Sequence, residues 1–125
     1  MLDPIFGYIY LGYMLDKNPN KINGESFNFG PYSNKNYSVK ILLSEIKKYM
    51  PKLSWNTLKT KRKFFEAGLL NLNSKKTLKL LNWKNRLSFK ESVKLTTDWY
   101  IDYFAKKNMQ LKSFEQIQNF KKKLN

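Results

Sequence analysis

The chain has 125 residues, which is enough for one domain, and it carries 24 Lys or Arg residues against nine Asp or Glu residues. It contains no Cys and no His, which excludes a disulfide framework and leaves almost no ligands for a zinc or haem site. No apolar run approaches the ~18 residues of a membrane span, and the apolar start lacks the basic leader and cleavage site of a signal peptide. We therefore expect a cytoplasmic protein that has no membrane partner.

The net charge of +15 is typical of nucleic-acid-binding proteins. However, 22 of the 24 cationic residues are Lys, and only Arg62 and Arg86 are Arg. Recognition of phosphates and base edges favours the planar, forked guanidinium of Arg. The Lys residues are also spread along the chain, as on solvated faces. A basic nucleic-acid-binding module is therefore retained only as an alternative.

The first predicted helix opens at Asp3 and Pro4 and runs to about Asp16. Asp3 is a suitable cap, and Pro4 fits the first helical turn. The residues from Lys17 to Gly24 form a breaker cluster rich in Asn, Gly and Pro. Glu25–Phe29 is predicted as a short strand, because two Phe residues alternate along it.

Ser38 is predicted to cap a second helix that extends to about Tyr49. Residues 53–55 form a second, weaker strand candidate. Residues 57–63 are basic and lack a clear period, which is typical of an exposed loop. Glu66–Leu72 is predicted as a further strand with its Leu side chains on one face.

Asn73 is predicted to cap a short helix over residues 74–81. Ser88 and Glu91 have the spacing of a capping box and predict a long helix that ends near Lys106. This helix should bury Val93, Leu95, Trp99, Tyr100, Tyr103 and Phe104.

Ser113 and Gln116 have the same capping-box spacing and predict the start of a final helix. The resulting fold class is helix-rich α/β, with four to five helices and two or three short strands. Such separated strands cannot form a stable sheet by themselves. The first helix is apolar on more than one face, as is usual for a helix between two layers. Both features indicate that a packing partner is missing.

Four blocks of this sequence resemble the C-terminal lobe of the extended short-chain dehydrogenase/reductases that act on nucleotide sugars. The order and spacing of the blocks are most similar to the CDP-glucose 4,6-dehydratase branch. The blocks are residues 2–8, 27–31, 66–88 with its Leu-Leu-Asn-Trp run, and the closing helices at 96–100 and 109–118. The resemblance covers nearly all of this chain but only about the last third of the family's length.

The resemblance implies that residues 1–125 are a nucleotide-sugar-binding lobe for a CDP-glucose-like substrate. In the family, NAD is held by a glycine-rich loop and catalysis uses a Tyr-x-x-x-Lys pair. Both belong to an N-terminal Rossmann lobe that this sequence lacks. The resemblance therefore implies no cofactor and no catalytic residue in this chain, and no activity for the chain alone. A separately encoded NAD-binding partner, which this chain would complete as an accessory subunit, is the alternative.

The candidate substrate-binding residues are Asn28, Phe29, Arg62 and Glu66, and no metal ligands are expected. The resemblance places Arg62, four residues before Glu66, beside the nucleotide diphosphate, although it could be a solvated loop residue. Asn28 and Phe29 could shape the nucleobase end of the cleft, or simply form a strand that pairs with another lobe. The family has His where this chain has Phe65. The resemblance therefore does not extend to a polar contact with the nucleotide at that position.

Two further sets of residues are given structural interpretations. Trp83 and Trp99 are predicted as core aromatic residues, since large rings dominate cores. Asp98 and Asp102 are spaced by one helical turn, which could suggest paired acid-base carboxylates. With no cleft-forming residues near them, a solvated helix face is the better prediction.

Overall fold

A computed structural model describes residues 2–32, 35–57 and 72–124 of the chain. Within these ranges it contains six helices and no strand, so the expected helix-rich character is confirmed. None of the described helices is long and apolar enough to cross a bilayer. The helices are α1 (Leu2–Lys17), α2 (Pro19–Ile22), α3 (Val39–Lys47), α4 (Lys75–Leu81), α5 (Phe89–Phe104) and α6 (Met109–Lys121).

The strands predicted over residues 25–29 and 53–55 are wrong, because both segments are irregular. Side-chain hydroxyl groups near the start of α4 form hydrogen bonds with the backbone of residues 28–30. In a sheet, the backbone of a neighbouring strand would form these bonds instead. Thr77 Oγ1 donates to the carbonyl of Asn28 at 2.7 Å, and Ser74 Oγ accepts from the amide of Gly30 at 3.0 Å. Residues 66–71 of the predicted strand over 66–72, and most of the predicted loop over 57–63, lie outside the described residues.

Two helix starts are formed as the sequence predicts. Ser38 Oγ accepts from the Ile41 amide at 3.3 Å at the start of α3. At the start of α5, Ser88 Oγ accepts from the Glu91 amide, and the Glu91 carboxylate accepts from the Ser88 amide at 2.8 Å. Each cap satisfies amide groups that have no partner within the helix.

The capping box predicted at Ser113 and Gln116 is wrong, because α6 already begins at Met109 with Asn108 as its cap. Ser113 Oγ instead accepts from the indole nitrogen of Trp99 at 3.0 Å. The side-chain amide of Gln116 donates to the carbonyl of Leu95 at 2.8 Å. The two residues therefore join α6 to α5.

The core lies beneath α1. Its buried residues are Ile22, Phe29, Leu81 and Trp83, and the inward face of α1 packs against them through Phe6, Tyr10, Leu11, Met14 and Leu15. A Cβ at Gly7 would clash with the Phe29 ring, so the absence of a side chain there lets the ring lie directly on the helix. Burial of Trp83 is as predicted, whereas Trp99 is only half-buried.

The predicted buried side of α5 is partly wrong. Val93 is buried, but Tyr100, Tyr103 and Phe104 are exposed. Helix α5 packs against α3 and α6 and buries Val93, Thr97 and Asp102. The exposed rings lie against one another, as in the Tyr100–Phe104 pair, whose centroids are 6.3 Å apart.

Candidate functional site

A partly open cavity of about 650 Å³ lies at the meeting point of four segments. These are the first turn of α1, the irregular segment 29–31, residues 35–37, and the turn that leads from α4 into α5. Its lining is mostly apolar, with polar groups from Asp3, Lys35, Asn85, Ser88 and Ser92. This combination is characteristic of small-ligand sites, in which a few polar groups orient a ligand held by apolar contact.

Asp3 fixes one wall of the cavity. Its Oδ1 accepts from the Arg86 amide at 2.7 Å, and its Oδ2 accepts from the Leu87 amide at 3.0 Å. The expectation that Asp3 caps α1 is therefore wrong, since the helix already includes Leu2 and the carboxylate serves a distant turn. The carboxylate is buried, and the two charge-assisted hydrogen bonds compensate for its desolvation.

Asn85 connects this turn to the opposite wall. Its Oδ1 accepts from the Tyr32 amide at 2.9 Å, and its Nδ2 donates to the Leu87 carbonyl at 2.8 Å. Tyr32 follows directly on the segment 29–31. The Asn85 side chain therefore links that segment to the turn between α4 and α5, and it sets the spacing between these two walls of the cavity.

Phe29 and Trp83 form the aromatic part of the lining. Their rings meet edge to face, with centroids 5.0 Å apart and an angle of 90° between the planes. The indole nitrogen of Trp83 is buried and has no hydrogen-bond partner among the described residues. A buried donor that has no acceptor lowers the stability of the fold.

The two neighbouring candidates Asn28 and Phe29 have different environments. Phe29 lines the cavity and also belongs to the buried core cluster, so its role in substrate binding stays a prediction. Asn28 lies outside the lining, and its side chain donates to the Asn73 carbonyl at 3.4 Å. Arg62 and Glu66 lie outside the described residues, so their assignment to the diphosphate stays a prediction.

Tyr37 and Phe89 form a stacked pair at the edge of the cavity that the sequence analysis missed. Their centroids are 3.8 Å apart and their planes differ by 5°. Lys35 contributes a nearby ammonium group to the lining. No local pattern links Tyr37 to a ring 52 positions later in the chain, so periodicity could not have identified the pair.

Glu91 lies just outside the cavity at the start of α5. Its pKa is lowered from 4.5 to about 2, first by the hydrogen bond from the Lys123 ammonium and then by those from the Ser88 amide and hydroxyl. The Lys123 Nζ to Glu91 Oε1 distance is 2.7 Å. A carboxylate held in its ionised form in this way suits helix capping and does not suit proton donation.

The carboxylates of Asp98 and Asp102 lie away from the cavity and are each paired. Asp98 Oδ2 is 2.6 Å from Lys94 Nζ. Asp102 is buried, so the expected solvated face is wrong at this position; its oxygens lie 2.6 Å from Lys107 Nζ and 2.9 Å from Lys112 Nζ. Hydrogen bonds from Lys107 and then Lys112 lower the pKa of the Asp102 carboxyl. Both carboxylates form ion pairs with Lys side chains, which is a structural role.

Comparisons with protein-family models, curated proteins and solved structures each found no match to this chain. A functional proposal therefore depends on the cavity, on the residues around it and on the resemblance of the sequence blocks.

Proposed function

We propose that this chain is the substrate-binding part of an enzyme that resembles CDP-glucose 4,6-dehydratase, and that its cavity holds a nucleotide sugar. One observation carries the proposal: blocks that are far apart in the sequence and that bear the resemblance contribute to the same cavity. The first block supplies Asp3 and Pro4, the second Phe29 to Pro31, and the third Trp83, Leu87 and Ser88.

The size and chemistry of the cavity are compatible with such a ligand. A volume of about 650 Å³ falls within the range of roughly 300–1,000 Å³ that is usual for small-molecule sites. The exposed Tyr37 ring offers a stacking surface for a nucleobase or a sugar face. The Lys35 ammonium suits a diphosphate.

The proposed role is binding without turnover. The 125 residues contain no glycine-rich phosphate loop. The Tyr-x-x-x-Lys spacing occurs at Tyr13 with Lys17 and at Tyr103 with Lys107, but none of these residues lines the cavity. In the family, NAD supplies the hydride chemistry and a separate lobe holds it. The residues of this chain would orient the sugar nucleotide and exclude water from its apolar side.

Isothermal titration calorimetry of the purified chain with CDP-glucose tests the proposal. We expect saturable binding that is weakened about tenfold, or about 1.4 kcal/mol, by Tyr37→Ala and by Lys35→Gln. The matched controls Tyr100→Ala and Lys90→Gln alter exposed residues outside the lining and should bind as the unmodified chain does. CMP and glucose offered separately should bind more weakly than the intact nucleotide sugar.

Two results would contradict this proposal. One is the absence of CDP-glucose binding at millimolar concentration by a chain that circular dichroism shows to be folded. The other is formation of a 4-keto sugar product when the chain alone is incubated with CDP-glucose and NAD, since that would require catalytic groups that the proposal denies.

A further inference from the structure

Helix α1 has a second apolar face, which points away from the core. Its exposed residues Ile5, Tyr8, Ile9 and Tyr13 are spaced by three or four positions and so form one continuous stripe, here called the outer stripe. We propose that the outer stripe is the docking surface for a protein partner with an apolar centre and an acidic rim. This inference does not depend on the cavity being a nucleotide-sugar site.

The first argument is the absence of charge along the stripe. From Pro4 to Leu15 the helix carries no charged side chain, although 26% of the residues in the chain are charged. Protein–protein interface centres are depleted of charge and enriched in Tyr, whereas solvated helix faces are polar. An exposed apolar patch of this kind usually marks an interaction site.

The second argument is that the stripe is held in place before anything binds. The Tyr8 ring meets Phe29 edge to face at 5.3 Å, and Tyr13 stacks on Tyr10 at 6.1 Å. A Cβ at Gly12, beside Tyr13, would touch nothing, so a partner could approach the helix backbone there. Side chains that are already ordered lose less entropy on binding, which favours affinity.

The third argument concerns the charges around the stripe. Lys17 Nζ lies 5.9 Å from the centre of the Tyr13 ring. Phe6 of α1 contacts Phe120 of α6, at 6.0 Å between centroids, and the exposed Lys121 and Lys122 follow Phe120 directly in the chain. Asp16, 3.8 Å from Lys17, only partly offsets this positive rim. A partner with carboxylates around its apolar centre would complement these charges.

The same charges disfavour other occupants. A second copy would oppose lysine to lysine between two chains of net charge +15. A nucleic acid offers phosphates but no apolar centre to cover the stripe. A helix that lies on an anionic membrane carries Lys or Arg along its polar face, whereas α1 has only Lys17.

A fluorescence anisotropy titration with defined peptides tests this inference on the full chain. The probe is a labelled amphipathic helix of about 20 residues, with a Leu face flanked by Glu. Its matched control has Lys in place of every Glu. We expect the Glu-flanked peptide to bind at least about tenfold more tightly than the Lys-flanked peptide.

Substitutions in the protein locate the binding surface. Ile9→Glu should weaken binding of the Glu-flanked peptide at least about tenfold. Val39→Glu is its matched control on α3, because Val39 is also β-branched and is 71% exposed against 69% for Ile9. Tyr13→Glu provides a second variant of the stripe. Circular dichroism melts establish that each variant is folded.

Several outcomes would overturn the inference. Failure of the Glu-flanked peptide to bind, equal affinity for both peptides, or binding that survives Ile9→Glu and Tyr13→Glu would each do so. Sedimentation velocity that shows a dimer lost on Ile9→Glu would assign the stripe to a second copy. Stripe-dependent binding to vesicles of phosphatidylcholine and phosphatidylglycerol, or to a single-stranded oligonucleotide, would assign it to those partners.

Discussion

The α5–α6 hairpin and the cluster beneath α1 are held together in different ways. The hairpin depends on polar contacts between residues close in sequence, such as Trp99 with Ser113 and Asp102 with Lys107. The cluster depends on aromatic and aliphatic packing around Leu81 and Trp83. The difference suggests that the cluster is sensitive to changes in side-chain volume, and that the hairpin is sensitive to pH and salt.

The largest expected effect comes from removing volume in the cluster. Leu81 is 1% exposed, and Leu81→Ala should lower the free energy of unfolding by about 2–5 kcal/mol, because it leaves a cavity in a packed core. Its neighbour Leu80 is 38% exposed and serves as the matched control. Urea unfolding followed by circular dichroism measures both variants. Similar losses in the two would mean that the cluster is not the main source of stability.

Removal of the Asp3 carboxylate comes second. Asp3→Ala leaves the part-buried amide of Arg86 and the buried amide of Leu87 without their acceptors, and should cost about 2–3 kcal/mol. Asp16→Ala, at the other end of the same helix, alters an exposed carboxylate and should cost less than about 0.5 kcal/mol. Urea unfolding at neutral pH distinguishes the two. An Asp3 variant as stable as the Asp16 variant would refute the link between α1 and the turn.

The smallest effect is the pH dependence of the hairpin. The folded-state pKa of Glu91 is about 2 against an ordinary value of 4.5. Its contribution to stability is therefore present above pH 4.5 and is lost as the pH falls towards 2. The Glu91 side chain is 43% exposed, so solvent screening reduces that contribution to about 1 kcal/mol.

Glu91→Gln should remove this contribution at neutral pH and flatten the fall in stability below pH 4.5. Chemical unfolding measured across the acid range tests the effect. Glu115→Gln, which alters an exposed carboxylate on α6, is the matched control. If the Glu91 and Glu115 variants had the same profile, the Lys123 and Ser88 contacts would contribute little to stability.

The features that sequence reasoning found correctly depend on residues a few positions apart. The Ser88 and Glu91 box needs only a spacing of three, and it forms as expected. Asn82 follows the last residue of α4 and adopts the left-handed conformation that Asn tolerates, with φ of 51°.

The failures share one physical origin. A Ser or Asp side chain accepts from any unpaired amide or indole hydrogen nearby in space, and local spacing does not show which one it will reach. Asp3 and Ser113 have the sequence pattern of caps but are used for long-range contacts. The exposed rings at Tyr103 and Phe104 have the period of a buried face, but that pattern does not reveal whether another element covers it.

The pairing of Asp3 with Arg86 and Leu87 also bears on how the chain is made. On the ribosome, α1 emerges long before its partners at positions 86 and 87 have been synthesised. Throughout that interval both apolar sides of the nascent helix face solvent, which exposes it to aggregation and to capture by chaperones. Such distant contacts also slow folding, because a long loop must close before they form.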